Sequence, residues 1–160
     1  TSAPLPDETI AEMIHIAHGE GFSVMAHANG AATVRAAAEA GVDSVEHGAY
    51  LDAAALRAMA VHGTVWTPTL ATIGNLLGCG RYPDTVLEPL LEGQQRNLRA
   101  FAAMGGIIAP GSDAGAYLVP HVQGAADEMR YLAAALGADA DTLLARGAAE
   151  IRRRFKPNAL

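Results

Sequence analysis

The sequence predicts an α/β fold: a parallel sheet of the (β/α)-barrel type, with helices between its strands. Three observations lead there. Short apolar runs recur along the chain, each preceded by a helix-like stretch that a glycine closes, at Gly21, Gly41, Gly63 and Gly105. Such runs read as buried parallel strands. Their first intervals match one βα unit of about 20–25 residues, scaled from the ~250-residue eight-unit barrel. Three of the runs also end in a potential ligand: Val24-Met25-Ala26-His27, Val42 to Gly48 with His47 near its end, and Gly106 to Asp113. Polar residues at the C-terminal tips of successive parallel strands are how such a barrel builds an active site.

Each element has its own reason. Pro6-Asp7-Glu8-Thr9 starts a helix with acidic residues in the first turn, and Ile10, Met13, Ile14 and Ala17 share one face. Phe22 to His27 is the first predicted strand. Thr33 to Ala40 is alanine-rich and helical, and Ser44 to His47 is the second strand. Asp52 caps a helix that runs through Val61 and stops at Gly63. Thr64 to Pro68, β-branched and aromatic, is the third strand, with its proline at the exit where no ladder donor is needed. Leu70 to Pro83 is glycine-rich and long for a connection, which suits a substrate loop. Asp84 to Met104 is a long helix, Ile107 to Gly111 the fourth strand, Ala114 to Gly124 a loop. Ala125–Leu136 and Asp141–Arg154 are the last helices. Strands alternating with helices imply a parallel sheet. Four strands are half of an eight-stranded barrel.

Bulk properties narrow the class. With 160 residues, 51% of them hydrophobic and 18% charged, the chain is one globular domain rather than a disordered segment. A net charge of −6 argues against a nucleic-acid partner, which needs a basic face. Arg152-Arg153-Arg154 with Lys156 reads as a solvated helix end, where cations suit the helix dipole. Cys79 is the only cysteine, so no intrachain disulfide forms. It reads as an ordinary free thiol. No apolar run approaches the ~18 residues of a membrane span. Thr1-Ser2-Ala3-Pro4 has no signal-peptide character. The expectation is a cytoplasmic protein with no membrane partner.

His27 and His47 lie one βα unit apart, hence on neighbouring strands about 4.8 Å apart. Their imidazoles can converge on one divalent metal or on two adjacent ones, zinc being the first expectation. Asp113, between Gly111 and Gly115, can ligate the metal and take a proton from water there. Each residue alone has a bland alternative, a satisfied histidine or an Asp-type turn. The three in phase argue for a site. His121, in the loop after Asp113, and Tyr50, just after His47, are candidate substrate-binding residues. His15 and His18 read as surface histidines, His62 as a helix C-terminal residue, and Trp66 as core. The glycines at 74, 78 and 80 form no phosphate loop, because no Gly-Lys-Ser/Thr follows.

His-Ala-Asn-Gly at 27–30, Ser-Val-Glu-His-Gly at 44–48 and Gly-Ser-Asp-Ala-Gly at 111–115, with Thr67-Pro68-Thr69-Leu70, resemble the second half of an amidohydrolase-superfamily barrel. The branch they are most similar to holds the imidazolonepropionase and prolidase-like metal-dependent hydrolases. The resemblance implies a distorted TIM-like (β/α)8 barrel, of which this chain holds about strands five to eight. It implies one or two divalent metals. It makes His27 and His47 the strand-five and strand-six ligands, and Asp113 the strand-eight ligand and proton shuttle. It implies a hydrolase that uses metal-activated water on a C–N bond of a small amide, dipeptide or cyclic amide.

The family's strand-one His-x-His pair and its strand-four bridging lysine have no counterpart here. His15 and His18 are spaced for a helix, and the only lysine is Lys156. The small β-sandwich segment is also absent. Residues 1–160 are thus expected to be a partial barrel domain whose partner is the missing N-terminal half, or a second copy of itself. Two other readings remain open. One is a deaminase of a small heterocycle. The other is a catalytically silent half-barrel that serves as an interaction module.

Overall fold

The computed structural model describes residues 4–156. Thr1–Ala3, on which the reading of the N-terminus partly rests, lie outside the described residues. The elements are α1 (Asp7–Gly19), β1 (Met25–Ala28), α2 (Ala31–Glu39), β2 (Ser44–His47), α3 (Ala53–His62), β3 (Val65–Thr67), α4 (Ala71–Gly74), α5 (Asp84–Ala103), β4 (Ile107–Ile108), α6 (Gln123–Leu136) and α7 (Ala140–Arg154). A single 3-10 turn, Gly137–Asp139, joins the last two helices. No described helix is long and apolar enough to cross a membrane.

The strands form one parallel sheet in the order β1-β2-β3-β4. Its register sorts the side chains into two rows, because successive strand residues point to opposite faces. Ala26, Val45, Trp66 and Ile108 are paired across the sheet, and they pack with the helices. There they meet Val34 of α2, Leu56 and Met59 of α3, Leu98 and Phe101 of α5, Leu132 of α6 and Leu144 of α7. Trp66, fully buried, stacks edge-on against Phe101 at 5.7 Å. The alternate row, His27, Glu46 and Thr67, lines a pocket.

Helix ends follow the chemistry of their residues. The Asp52 carboxylate accepts from the Ala55 N–H at 2.8 Å, and Gly63 ends α3 at φ 69°. That left-handed turn is one glycine adopts without penalty. Helix α7 approaches β4 so closely that a Cβ on Gly147 would lie 1.9 Å from the Ile108 carbonyl oxygen.

Two expectations need correction. Residues 70–83 are not all loop: α4 forms there, with its first N–H, that of Ala71, held by a buried carboxylate from α6. Arg154 is not a solvated helix end. Its guanidinium donates to the carbonyls of Asp43 (3.0 Å) and Gly63 (2.8 Å), and its own carbonyl accepts from Ser23. Those residues precede β2, β3 and β1, so Arg154 fastens α7 to the N-terminal end of the sheet. His18 is on the surface, as expected, where its Nε2 meets Asp43 Oδ2 at 2.9 Å.

Candidate metal centre

His27 occupies β1 on the pocket-facing row and needs no special backbone. His47 does. By strict alternation it would follow Ala28, its partner in the register, toward the helices. Instead it has φ 70°, and Gly48 after it has φ 62°. The reversal turns the His47 imidazole to the pocket side. Gly48 is required twice, for its φ and because a Cβ there would lie 2.6 Å from the Trp66 indole nitrogen. The motif after His27 ties the two tips together. Asn29 accepts from the Ala49 N–H at 2.8 Å, Gly30 N–H donates to the Ala49 carbonyl, and Gly48 N–H to the Ala28 carbonyl.

Asp113 lies just beyond β4, also left-handed, at φ 56°. Gly111 lets the chain pass close to β3, since a Cβ there would lie 2.5 Å from the Thr67 methyl. The result is a pocket of about 310 Å³ lined by His27, Glu46, His47, Thr67, Thr69, Gly111 and Asp113. It opens at the C-terminal tips of the strands. His27 and Asp113 are exposed, Glu46 and His47 half-buried, and the two threonines buried.

The two imidazoles stand with ring centroids 4.4 Å apart and planes at 70°. Thr69 Oγ1 lies 2.6 Å from His47 Nδ1. With a proton on Nδ1 the hydroxyl accepts it, and Nε2 keeps its lone pair for the pocket. Burial lowers the His47 pKa, the neighbouring His27 lowers it further, and Asp113 opposes both. The ring is thus biased toward the neutral form that a metal needs. Glu46 is pushed up by burial and by Asp113, against hydrogen bonds from Ser44 and Thr67.

Two imidazoles with a carboxylate beside them fit a divalent ion in kind. The fit stops at two close donors. Among the described residues no group of three His, Cys, Asp or Glu is clustered tightly enough to hold a metal ion, and Asp113 lines the pocket without completing one.

The other sequence candidates fall elsewhere. Tyr50 does not line this pocket; it borders a separate hollow with Leu51, Val86, Pro89, Leu90 and Gln94. Its φ of 62° turns it outward, and it is 70% exposed. His121 is exposed and lies outside the pocket lining. Glu46, Thr67 and Thr69 lie in the motifs that carry the family resemblance, but were given no role in the site from the sequence. Period-two alternation, with Glu46 paired to His27 in the register, would have found Glu46.

The sequence matches the amidohydrolase family over residues 3–145. An uncharacterized protein of Mycobacterium tuberculosis is 36% identical over 86 residues, which span 51% of this chain and 23% of that protein. Among solved structures, a Xaa-Pro dipeptidase with methionine bound in its active site is similar at TM-score 0.71 and 25% identity, over 92% of this chain and 37% of that one. A prolidase complexed with N-methylphosphonate-L-proline is similar at TM-score 0.74 and 26% identity, over 98% and 39%. Aspergillus niger ochratoxinase shares the fold at TM-score 0.76 and 22% identity, over 94% and 34%. The chain thus spans under a quarter of its curated relatives and under two fifths of these structures. With the family match running through nearly all of its length, the chain belongs to the amidohydrolase family.

Proposed function

We propose that this chain supplies the C-terminal half of the barrel of a metal-dependent hydrolase, which cleaves a C–N bond in a small amide, dipeptide or cyclic amide. The observation that carries the reading is the convergence of His27, His47 and Asp113 on one pocket at the C-terminal tips of β1, β2 and β4. Nothing in the packing of the sheet requires three such residues there. The similarity to a Xaa-Pro dipeptidase and to a prolidase favours a dipeptide as substrate.

In this reading His27 and His47 hold a divalent ion, zinc being the first candidate, through imidazole nitrogens that face the pocket. When bound, the ion supplies Lewis acidity, which brings the pKa of a water at the site toward about 7. Asp113 takes the proton from the attacking water and returns it to the leaving nitrogen. Thr69 keeps His47 in the tautomer that leaves Nε2 free. The remaining ligands come from the preceding half of the barrel, because among the described residues no group of three donors is close enough to hold the ion.

Zinc titration of the chain, of His27→Ala and of His47→Ala tests the reading. The unaltered chain should bind weakly, since a closed site needs four ligands. Each variant should lose that binding. Equal affinity in all three would remove the metal assignment. In the longer protein that carries this segment, hydrolysis of Xaa-Pro dipeptides should disappear with either substitution.

A further inference from the structure

Gln94, on α5, is 3% exposed and carries a task that neither the fold nor the pocket lining explains. Its amide nitrogen donates to the His47 carbonyl at 2.8 Å and to the Pro68 carbonyl at 2.9 Å. Both of its donors are used. Its Oε1 is buried and has no partner. A buried carbonyl left unpaired is unfavourable, so the side chain satisfies two backbone carbonyls at the cost of its own. An apolar side chain of the same length would remove that unpaired oxygen but would leave the buried Pro68 carbonyl without its donor.

What the amide gives is geometry. The His47 carbonyl also accepts from the Trp66 indole N–H at 2.9 Å. Two donors on one carbonyl fix the plane of the His47–Gly48 peptide, and that plane sets the reversed backbone on which the imidazole depends. The Pro68 carbonyl belongs to the peptide that enters Thr69, itself left-handed at φ 51°. The Thr69 hydroxyl is the group that meets His47 Nδ1. One side chain, from outside the pocket, therefore holds both halves of the imidazole–hydroxyl pair.

We propose that Gln94 is a positioning residue for the pocket: by gripping the His47 and Pro68 carbonyls together, it sets the His47 ring so that Nε2 faces the open site. Its geometric part stands by itself. Its consequence for metal binding rests on the reading of His47 as a ligand.

The test uses the full 160-residue chain and Gln94→Met, which keeps length and burial but cannot donate. The His47 imidazole resonances should shift or broaden, and the unfolding midpoint should fall modestly because the Pro68 carbonyl loses its donor. Zinc affinity should fall about 10–100-fold, the usual effect of losing an outer support of a ligand. Unchanged imidazole resonances would overturn the proposal. A zinc affinity that is unchanged in Gln94→Met but lost in His47→Ala would overturn its metal-binding part. If His47→Ala itself binds zinc as the unaltered chain does, the metal reading fails, and the resonances still decide the role of Gln94. Should Gln94→Met not fold, hydrogen exchange of the Gln94 side-chain amide in the unaltered chain decides: slow exchange of both protons supports the grip, and rapid exchange overturns it.

Discussion

At the scale of single residues, backbone conformation and chemistry coincide. His47, Thr69 and Asp113 all have positive φ, between 51° and 70°, and all line one pocket. A non-glycine residue held in that region costs about 1–3 kcal/mol and persists only where its surroundings over-determine it. Here the reversal re-aims side chains that strand geometry would send elsewhere. Asp113 allows a clean separation of roles. Asparagine adopts the left-handed region as readily as aspartate and hydrogen-bonds similarly, but it cannot carry a proton. In the protein that carries this segment, Asp113→Asn should lower kcat by about 10²–10⁴-fold, with KM little changed. Full activity with unchanged metal content would take Asp113 out of the chemistry. The three polar tips were legible in the sequence, because each stands out against an apolar run. Gln94 was not: a glutamine in Gly93-Gln94-Gln95-Arg96 looks like a solvated helix position, and only tertiary packing buries it.

At the scale of elements, local signals and tertiary contacts divided the work. Helix α3 was readable to its ends because Asp52 and Gly63 act within one turn of it. The strands were less so. Phe22 to Val24 belong by composition to β1, yet ladder pairing begins at Met25; Phe22 is 70% exposed, and Val24 instead gives its N–H to Asp43. Helix α4 was illegible because its anchor lies 57 residues away: Glu128, 1% exposed on α6, accepts from the Ala71 N–H at 2.7 Å. Its second carboxylate oxygen has no partner, and burial pushes its pKa up to about 7. A carboxyl whose pKa is raised on folding contributes stability that is complete below its ordinary pKa of 4.5 and is lost as pH rises through about 7. Unfolding free energy should therefore fall across that window by up to about 3 kcal/mol from this group, and Glu128→Gln should flatten the slope. An unaltered pH profile in denaturant titrations of Glu128→Gln would contradict this. Packing at the other side of the sheet is equally exacting. Gly147→Ala would drive a methyl into the Ile108 carbonyl, and the unfolding midpoint should register a loss of about 1–3 kcal/mol or more.

At the scale of the whole molecule, the question is what the open sheet leaves exposed. Among the described residues β1 pairs only with β2, so its outer edge carries unpaired backbone groups. Apolar side chains flank that edge: Met25 on β1 is 47% exposed, and Phe22 before it 70%. The opposite side is better protected, because α7 packs along β4 through Gly147. An uncovered strand edge flanked by apolar side chains is a template for pairing with another chain. In a closed barrel the preceding strand would occupy it. The isolated chain should therefore associate through this edge, and its sedimentation coefficient should rise with concentration in the micromolar range. Met25→Lys places a charge on the exposed strand without entering the core, one of the devices by which natural sheets keep their edges apart. It should shift the distribution toward monomer while leaving the unfolding transition in place. Adding the preceding barrel segment as a separate polypeptide should do the same by occupying the edge, and it should tighten zinc binding at His27 and His47 in the same step. A chain that stays monomeric at every concentration, with Met25→Lys indistinguishable from it, would mean that the β1 edge is closed from within. The barrel-half reading would then fail, even though the pocket residues stay where they are.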